Sequence, residues 1–204
     1  MIELQHSQPE PQELTDFNRN NSHAGPDDFD SSAFVAIKPK IREALNEEQG
    51  GLCVYCERTL AANKGQIDHI KPKSGPNAHP ALTFSYTNYA HSCITDGKYS
   101  TCGQKKKHGL LPIEPSVGCN TDWVLSTVDG KIEPKVYLTR KQRHPVVKTR
   151  DMLGLNANPV LVEERFEWID KYLEALKFAV AQGNPTLADQ FLQAAPFRYI
   201  LKTI

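Results

Sequence analysis

Nowhere in these 204 residues does an apolar run approach the length of a membrane span, which excludes a membrane-spanning helix from the expectations. Net charge is also missing. The 24 Lys and Arg balance 24 Asp and Glu, so total charge does not announce a polyanion partner. No repeat or low-complexity tract is present, which excludes solenoids and linker-like chains. The chain opens without a basic n-region or an apolar h-region, so no signal peptide is expected and a reducing cytoplasm is the expected compartment. Cysteine is scarce at five residues. In that compartment a closely spaced pair reads as metal ligation, not as a disulfide. Apolar residues make up 39%, enough for a modest core, and the length suits one main domain with extensions.

What is present is concentrated between Cys53 and His108. Cys53-Val54-Tyr55-Cys56 is a C-x-x-C turn that supplies two thiolates from one knuckle, and Cys93 with Cys102 is the natural second pair. Four thiolates around Zn²⁺ make a closed tetrahedral structural site. The segment between the last two, Ile94–Thr101, is polar and turn-forming and can loop out. Cys119 is left over and reads as a small core residue.

Between the cysteine pairs lies Ile67-Asp68-His69-Ile70-Lys71-Pro72, and Asn88 stands five residues before Cys93. Neighbours on an extended strand point to opposite faces. Asp68 can therefore face a hard cation such as Mg²⁺ or Mn²⁺ while His69 faces a water. A carboxylate suits such a cation, and an imidazole titrating near neutrality suits general-base work. Asn88, with donor and acceptor capacity, can tie the hairpin loop to the backbone and hold the His69 ring. Those are the parts a metal-dependent phosphodiesterase needs.

These residues resemble the HNH nuclease family with its ββα-metal fold. Within it they are similar to the PtuB-type HNH component of Septu and retron-associated antiphage systems. Cys53–Glu57 (CVYCE), Asp68–Ser74 (DHIKPKS), Ser92-Cys93, and Cys102-Gly103 with Lys106 carry the resemblance. Asn120, Trp123, Gly130–Ile132, Met152–Asn156 and Arg165 extend it over nearly the whole chain. The resemblance implies His69 as general base, Asp68 as ligand of the catalytic metal, Asn88 as a positioning residue and the four cysteines as a structural zinc site. It also implies an ABC- or SMC-like ATPase partner of the PtuA type, or a retron reverse transcriptase with its RNA–DNA product. There is one departure. The family usually places a His or Asn just after the last cysteine as a second metal ligand, and here Gly103 stands there. Gln104 and His108 are the candidates to replace it, with water as the alternative.

Charge is distributed unevenly. Residues 58–108 hold eight Lys and Arg against Asp68 and Asp96, whereas residues 1–31 hold seven acids and one Arg. Lys71, Lys73, Lys105, Lys106 and Lys107 are therefore candidate contacts to a nucleic-acid backbone. Punctuation predicts an extended polar arm over 1–30 and an HNH domain over 31–135. That domain has a leading helix with Pro39 in its first turn and its end near Gly50-Gly51, a helix beginning at 104–109 and a hairpin over Trp123–Ile132. A helical region over 136–204 follows. In it Asn158 caps an amphipathic helix with Pro159 at its first position, Val160, Phe166, Ile169, Leu173, Leu176 and Val180 mark its apolar stripe, Gly183 stops it, and Thr186 caps a last helix through Leu192. The expected class is α+β, a ββα-metal core with a four-cysteine zinc knuckle flanked by helices. The expected activity is phosphodiester hydrolysis of nucleic acid, DNA first. The rival readings are the same chemistry on RNA such as tRNA, and a non-catalytic zinc-ribbon adaptor.

Overall fold

The computed structural model describes residues 1–95 and 97–204. The polar start of the chain is folded. Helix α1 (Gln12–Asn20) turns Leu14 and Phe17 inward, and a 3₁₀ turn at Pro26–Asp30 buries Phe29. Ser31 then starts α2 (Ser32–Glu48), its hydroxyl accepting from the Phe34 amide at 3.3 Å. Leu14, Phe17 and Phe29 join Phe34, Ile41, Leu45, Tyr86 and Tyr89 in an aromatic-rich core. The extended arm expected over 1–30 is thus corrected. Leu14 and Phe17, spaced i, i+3, give α1 a narrow apolar stripe that the acids around it concealed. Pro39 lies inside α2 instead of in its first turn, because Ser31 caps the helix well upstream. Val35, whose carbonyl loses a partner to Pro39, is 47% exposed, so water can take that role. The helix stops before Gly50 and Gly51 as expected.

Strand β1 (Gln66–His69) pairs antiparallel with β2 (Tyr89–Ser92), Ile67 opposite His91 and Asp68 opposite Ala90. The short helix α3 (Cys102–Lys106) completes a ββα unit. Side-chain alternation sends Tyr89 into the aromatic core and Ala90 into a second core, so the hairpin stands between the two. Part of the looped insert expected over Ile94–Thr101 is a 3₁₀ turn at Gly97–Tyr99, and its Asp96 lies outside the described residues.

The second core surrounds the cysteines with Trp123, Leu125, Leu153, Leu155, Leu161, Ile169 and Phe197. The expected hairpin is present as β3 (Trp123–Leu125) and β4 (Ile132–Pro134). Helix α4 (Arg140–Met152) opens with a Thr139–Gln142 capping box that the sequence reading passed over. Then come α5 (Pro159–Ala181), α6 (Thr186–Ala194) and α7 (Arg198–Leu201). Asn158 caps α5 and Gly183 follows its end, as expected.

The inward face of α5 differs from the expected stripe. Leu161, Arg165, Ile169, Tyr172 and Ala179 are buried, whereas Val160 and Val180 are exposed. Arg165 fixes that face: its guanidinium donates to the carbonyls of Gly130 and Leu155 and to Asn156 Oδ1. No helix among the described residues is long and apolar enough to cross a membrane.

Candidate active site and metal centre

The four cysteines converge. The Sγ atoms of Cys53, Cys56, Cys93 and Cys102 all lie within 4.8 Å of one another, with Cys53–Cys102 and Cys56–Cys93 at 3.7 Å. The knuckle is closed by hydrogen bonds from Glu57 N to Cys53 O and from Cys53 N to Arg58 O. Its turn puts Glu57 at φ 61°, a conformation that favours glycine. Glu57 is held there because its buried carboxylate accepts from the Met1 amine and from the Tyr199 amide. Cys102, also at positive φ, is fixed by its amide donating to Leu153 O at 2.9 Å.

Burial opposes ionisation of the Cys53 thiol, but hydrogen bonds with Cys102, Cys56 and Cys93 outweigh it and hold that thiol well below its usual range. A buried set of four sulfurs with this spacing could hold a structural metal. Cys119 stands apart against the carbonyls of Met1 and Ile2, in the core role expected of it.

One strand away, Asp68 and His69 share a cleft of about 320 Å³ with Phe29, Asp30, Gln66, Gly103, Gln104 and His108. Both are nearly buried. The strand's alternation separates their surroundings. Asp68 turns toward the cysteine knuckle, where Oδ2 accepts from the Tyr55 hydroxyl at 2.5 Å and lies 3.1 Å from Lys106 Nζ. Burial raises its carboxyl above the usual range, against the pull of Lys106 and Tyr55. Asp68 Oδ1 makes no hydrogen bond among the described residues.

His69 turns toward the aromatic core, its ring 4.6 Å from Phe29 and 5.2 Å from Tyr89. Its Nε2 lies 2.9 Å from the Thr83 carbonyl, an acceptor only, so the proton sits on Nε2 and Nδ1 carries a free lone pair. Burial lowers the imidazole to about 4, opposed by the Thr83 hydrogen bond and aided by Lys73, Lys106 and Lys38. The ring is therefore neutral at neutral pH.

Asn88 ties the loop as expected. Its Oδ1 accepts from Lys71 N at 2.8 Å, and Nδ2 donates to Lys71 O and Leu82 O. The His69 ring, however, is held by Thr83 and not by Asn88, because the Asn88 amide is consumed by Lys71 and Leu82. Gly103 explains the departure at the third position. A Cβ there would fall 2.8 Å from Asp68 Oδ1 and 2.7 Å from Gln66 Nε2, so only glycine lets α3 approach the carboxylate this closely.

Helix α3 ends at Lys106, so Gln104 and His108 do not share a helical face as expected. Gln104 donates to Gln66 Oε1, and His108 Nδ1 pairs with Ser74 Oγ from the following loop. Both still line the cleft.

Among the candidate phosphate contacts, Lys105 and Lys107 are exposed and Lys71 is partly so. Lys73 donates to Pro26 O. Lys106 is corrected: it is buried, donating to His69 O at 2.7 Å while paired with Asp68. Its place had a signal. Four residues after Cys102, it returns to the same side of α3 as that ligand. Tyr55 and Phe29 were missed as well. Phe29 had no local signal, because tertiary folding alone brings it to His69. His91, with its Nε2 on Lys64 O and its Nδ1 on Asn46, is a satisfied core residue.

No family model matches the chain. It is 44% identical over 179 residues to the "Retron Vc95 putative HNH endonuclease" of Vibrio cholerae serotype O1 biovar El Tor, a match covering 87% of this chain and 86% of that protein. The shared length takes in most of the chain, so the ββα unit and its cysteine cluster fall within a relationship rather than a local motif. The chain belongs to the HNH endonuclease family and is a nuclease of that class, a hydrolase of phosphodiester bonds.

Proposed function

We propose that this protein is a metal-dependent HNH endonuclease, acting on DNA in the first place, in which His69 is the general base. The observation that carries this reading is the His69 ring, which lines the same cleft as Asp68 and is locked through Nε2 on the Thr83 carbonyl, leaving Nδ1 as the free base. A neutral imidazole whose tautomer is already chosen can take a proton from an attacking water without reorganising first. Thr83 and the Phe29 and Tyr89 rings orient it. Asn88 keeps the loop between the strands in place. The exposed Lys105 and Lys107, with Lys71 and Lys73, line the approach for a phosphodiester backbone.

Asp68 Oδ1 is the residue atom that fits a hard cation. One carboxylate is adequate for Mg²⁺ or Mn²⁺, which keeps several waters in most protein sites, and Gln104 and His108 stand on the same cleft. When bound there, such an ion would supply charge stabilisation to the leaving oxygen. The cysteine cluster suits Zn²⁺, since four thiolates are its usual closed structural shell.

The name of the Vibrio cholerae relative ties that protein to a retron. From it we infer a cytoplasmic effector of bacterial antiphage defence. Its partners would be a PtuA-type ATPase or a retron reverse transcriptase with its RNA–DNA product.

The test is nicking of supercoiled plasmid and cleavage of tRNA, side by side. His69→Ala should lose a factor of roughly 10²–10⁴ in rate, the usual worth of a general base. Its zinc content and circular-dichroism spectrum should match the wild type, while the loss of a ring packed on Phe29 and Tyr89 lowers its melting temperature. EDTA should stop cleavage and Mg²⁺ or Mn²⁺ restore it. A His69→Ala protein that cleaves at the wild-type rate refutes the assignment. Cleavage of tRNA alone moves the substrate to RNA.

A further inference from the structure

Helix α4 presents a charged surface that the site around His69 does not use. From Lys135 to Lys148 the chain holds Lys135, Arg140, Lys141, Arg143, His144 and Lys148 and no acid. Glu133 and Asp151, the acids on either side, are both engaged by Arg150, at 2.8 and 2.9 Å. Arg140, Lys141, Arg143 and His144 are exposed and rim a cleft of about 830 Å³ whose apolar floor is Leu138 and Val147. In a chain of zero net charge, such a one-signed run is a local field, and Arg150 offsets one of the two flanking carboxylates.

The other end of α4 reaches the catalytic unit. Leu153 O accepts from the Cys102 amide, and Thr149 Oγ1 accepts from Ile113 N. A helix rises about 1.5 Å per residue, so Arg140 to Met152 spans roughly 18 Å. That is about five phosphates along one strand of a duplex at about 3.4 Å each.

We propose that the N-terminal half of α4 is a second nucleic-acid site, taking the phosphate backbone of the substrate away from the bond cut at His69. The proposal rests on the reading that this chain cleaves nucleic acid. Guanidinium forks match phosphate oxygens two at a time, and Arg140 and Arg143, three residues apart, lie on one face with His144 beside them. α4 runs from this surface to the Cys102 end of α3, with Pro145 inside it, so the basic surface and the ββα unit share one element. Around the His69 cleft, Lys106 is buried on Asp68 and Lys73 is tied to Pro26 O, which leaves Lys107 as the exposed lysine of its lining.

The test is fluorescence anisotropy of the zinc-loaded full chain in a His69→Ala background, so that the outcome does not depend on cleavage. The probes are a labelled DNA duplex and a single-stranded RNA, titrated between 50 and 200 mM NaCl. Arg140→Gln/Lys141→Gln/Arg143→Gln is compared with a charge-matched control on exposed lysines elsewhere, Lys171→Gln/Lys177→Gln/Lys202→Gln. Loss of three phosphate contacts should lower the salt slope on duplex by about 2.7. Over that salt range the parent's affinity should then fall about 40-fold further than the α4 variant's, while the control keeps the parent's slope. Equal slopes for the two triple variants, or a parent that binds neither probe, overturn the proposal. So does an unchanged slope with loss of binding to a poly-glutamate peptide, which would assign the surface to an acidic protein.

Discussion

Replacing Lys106 by methionine removes one ammonium and keeps the stem. In the native protein that ammonium lies 3.1 Å from Asp68 Oδ2 and donates to the His69 carbonyl at 2.7 Å. The two side chains are 1% and 10% exposed, so the pair belongs with buried ion pairs and not with surface pairs worth about 0–1 kcal/mol. Breaking a buried pair from one side costs about 3–5 kcal/mol, because the remaining charge is stranded. Two features favour the lower end. The Tyr55 hydroxyl still donates to Asp68, and burial already pushes that carboxyl toward its protonated form.

A loss of about 3 kcal/mol in a chain of this size corresponds to a fall in Tm of roughly 6–12 °C. Lys106→Met/Asp68→Asn leaves no charge stranded, and exchanging a whole buried pair for neutral groups is often near neutral, within about 1 kcal/mol. The double variant should therefore melt above the single one. Scanning calorimetry of wild type, both single variants and the double variant, all with metal loaded, gives the coupling. A Lys106→Met protein melting within about 2 °C of wild type refutes the reasoning, as does a double variant no more stable than Lys106→Met.

Cys53→Ser should release the structural metal and unfold the central region, since closed zinc sites contribute on the order of 10 kcal/mol to folding. Cys119→Ser should keep both, with elemental analysis and circular dichroism as the readouts. Gly103→Ala sets a Cβ 2.8 Å from Asp68 Oδ1, and overpacking of that kind costs about 1–3 kcal/mol. Lower thermal stability together with a slower plasmid nick would bear this out, and unchanged values in both would count against the tight fit. Asn88→Ala leaves Lys71 N and two carbonyls short of a partner, at about 1–3 kcal/mol for the unsatisfied groups. Faster hydrogen exchange at the Lys71 and Ile70 amides, with zinc retained, is the expected signature.

The residues between Cys53 and Cys102 determined much about this protein before any fold was known. A C-x-x-C turn brings two sulfurs together by local geometry alone, and an Asp-His pair on a strand must diverge to opposite faces because a strand repeats every two residues. Capping told as much about α5, where Asn158 and Pro159 mark the start and Gly183 the stop. Such signals act over a few residues and can be read wherever they occur.

The environment of Asp68 and His69 was decided elsewhere. Phe29 reaches His69 from far upstream, Thr83 fixes the ring from the far side of the hairpin loop, and Lys106 turns from a surface charge into the partner of Asp68. Each depends on which segments the two cores bring into contact. Lys105, Lys106 and Lys107 are identical in type and adjacent in sequence. One is buried and two are exposed because α3 has a single inward face, and the packing of β1 and α4 around it selected which lysine occupies that face.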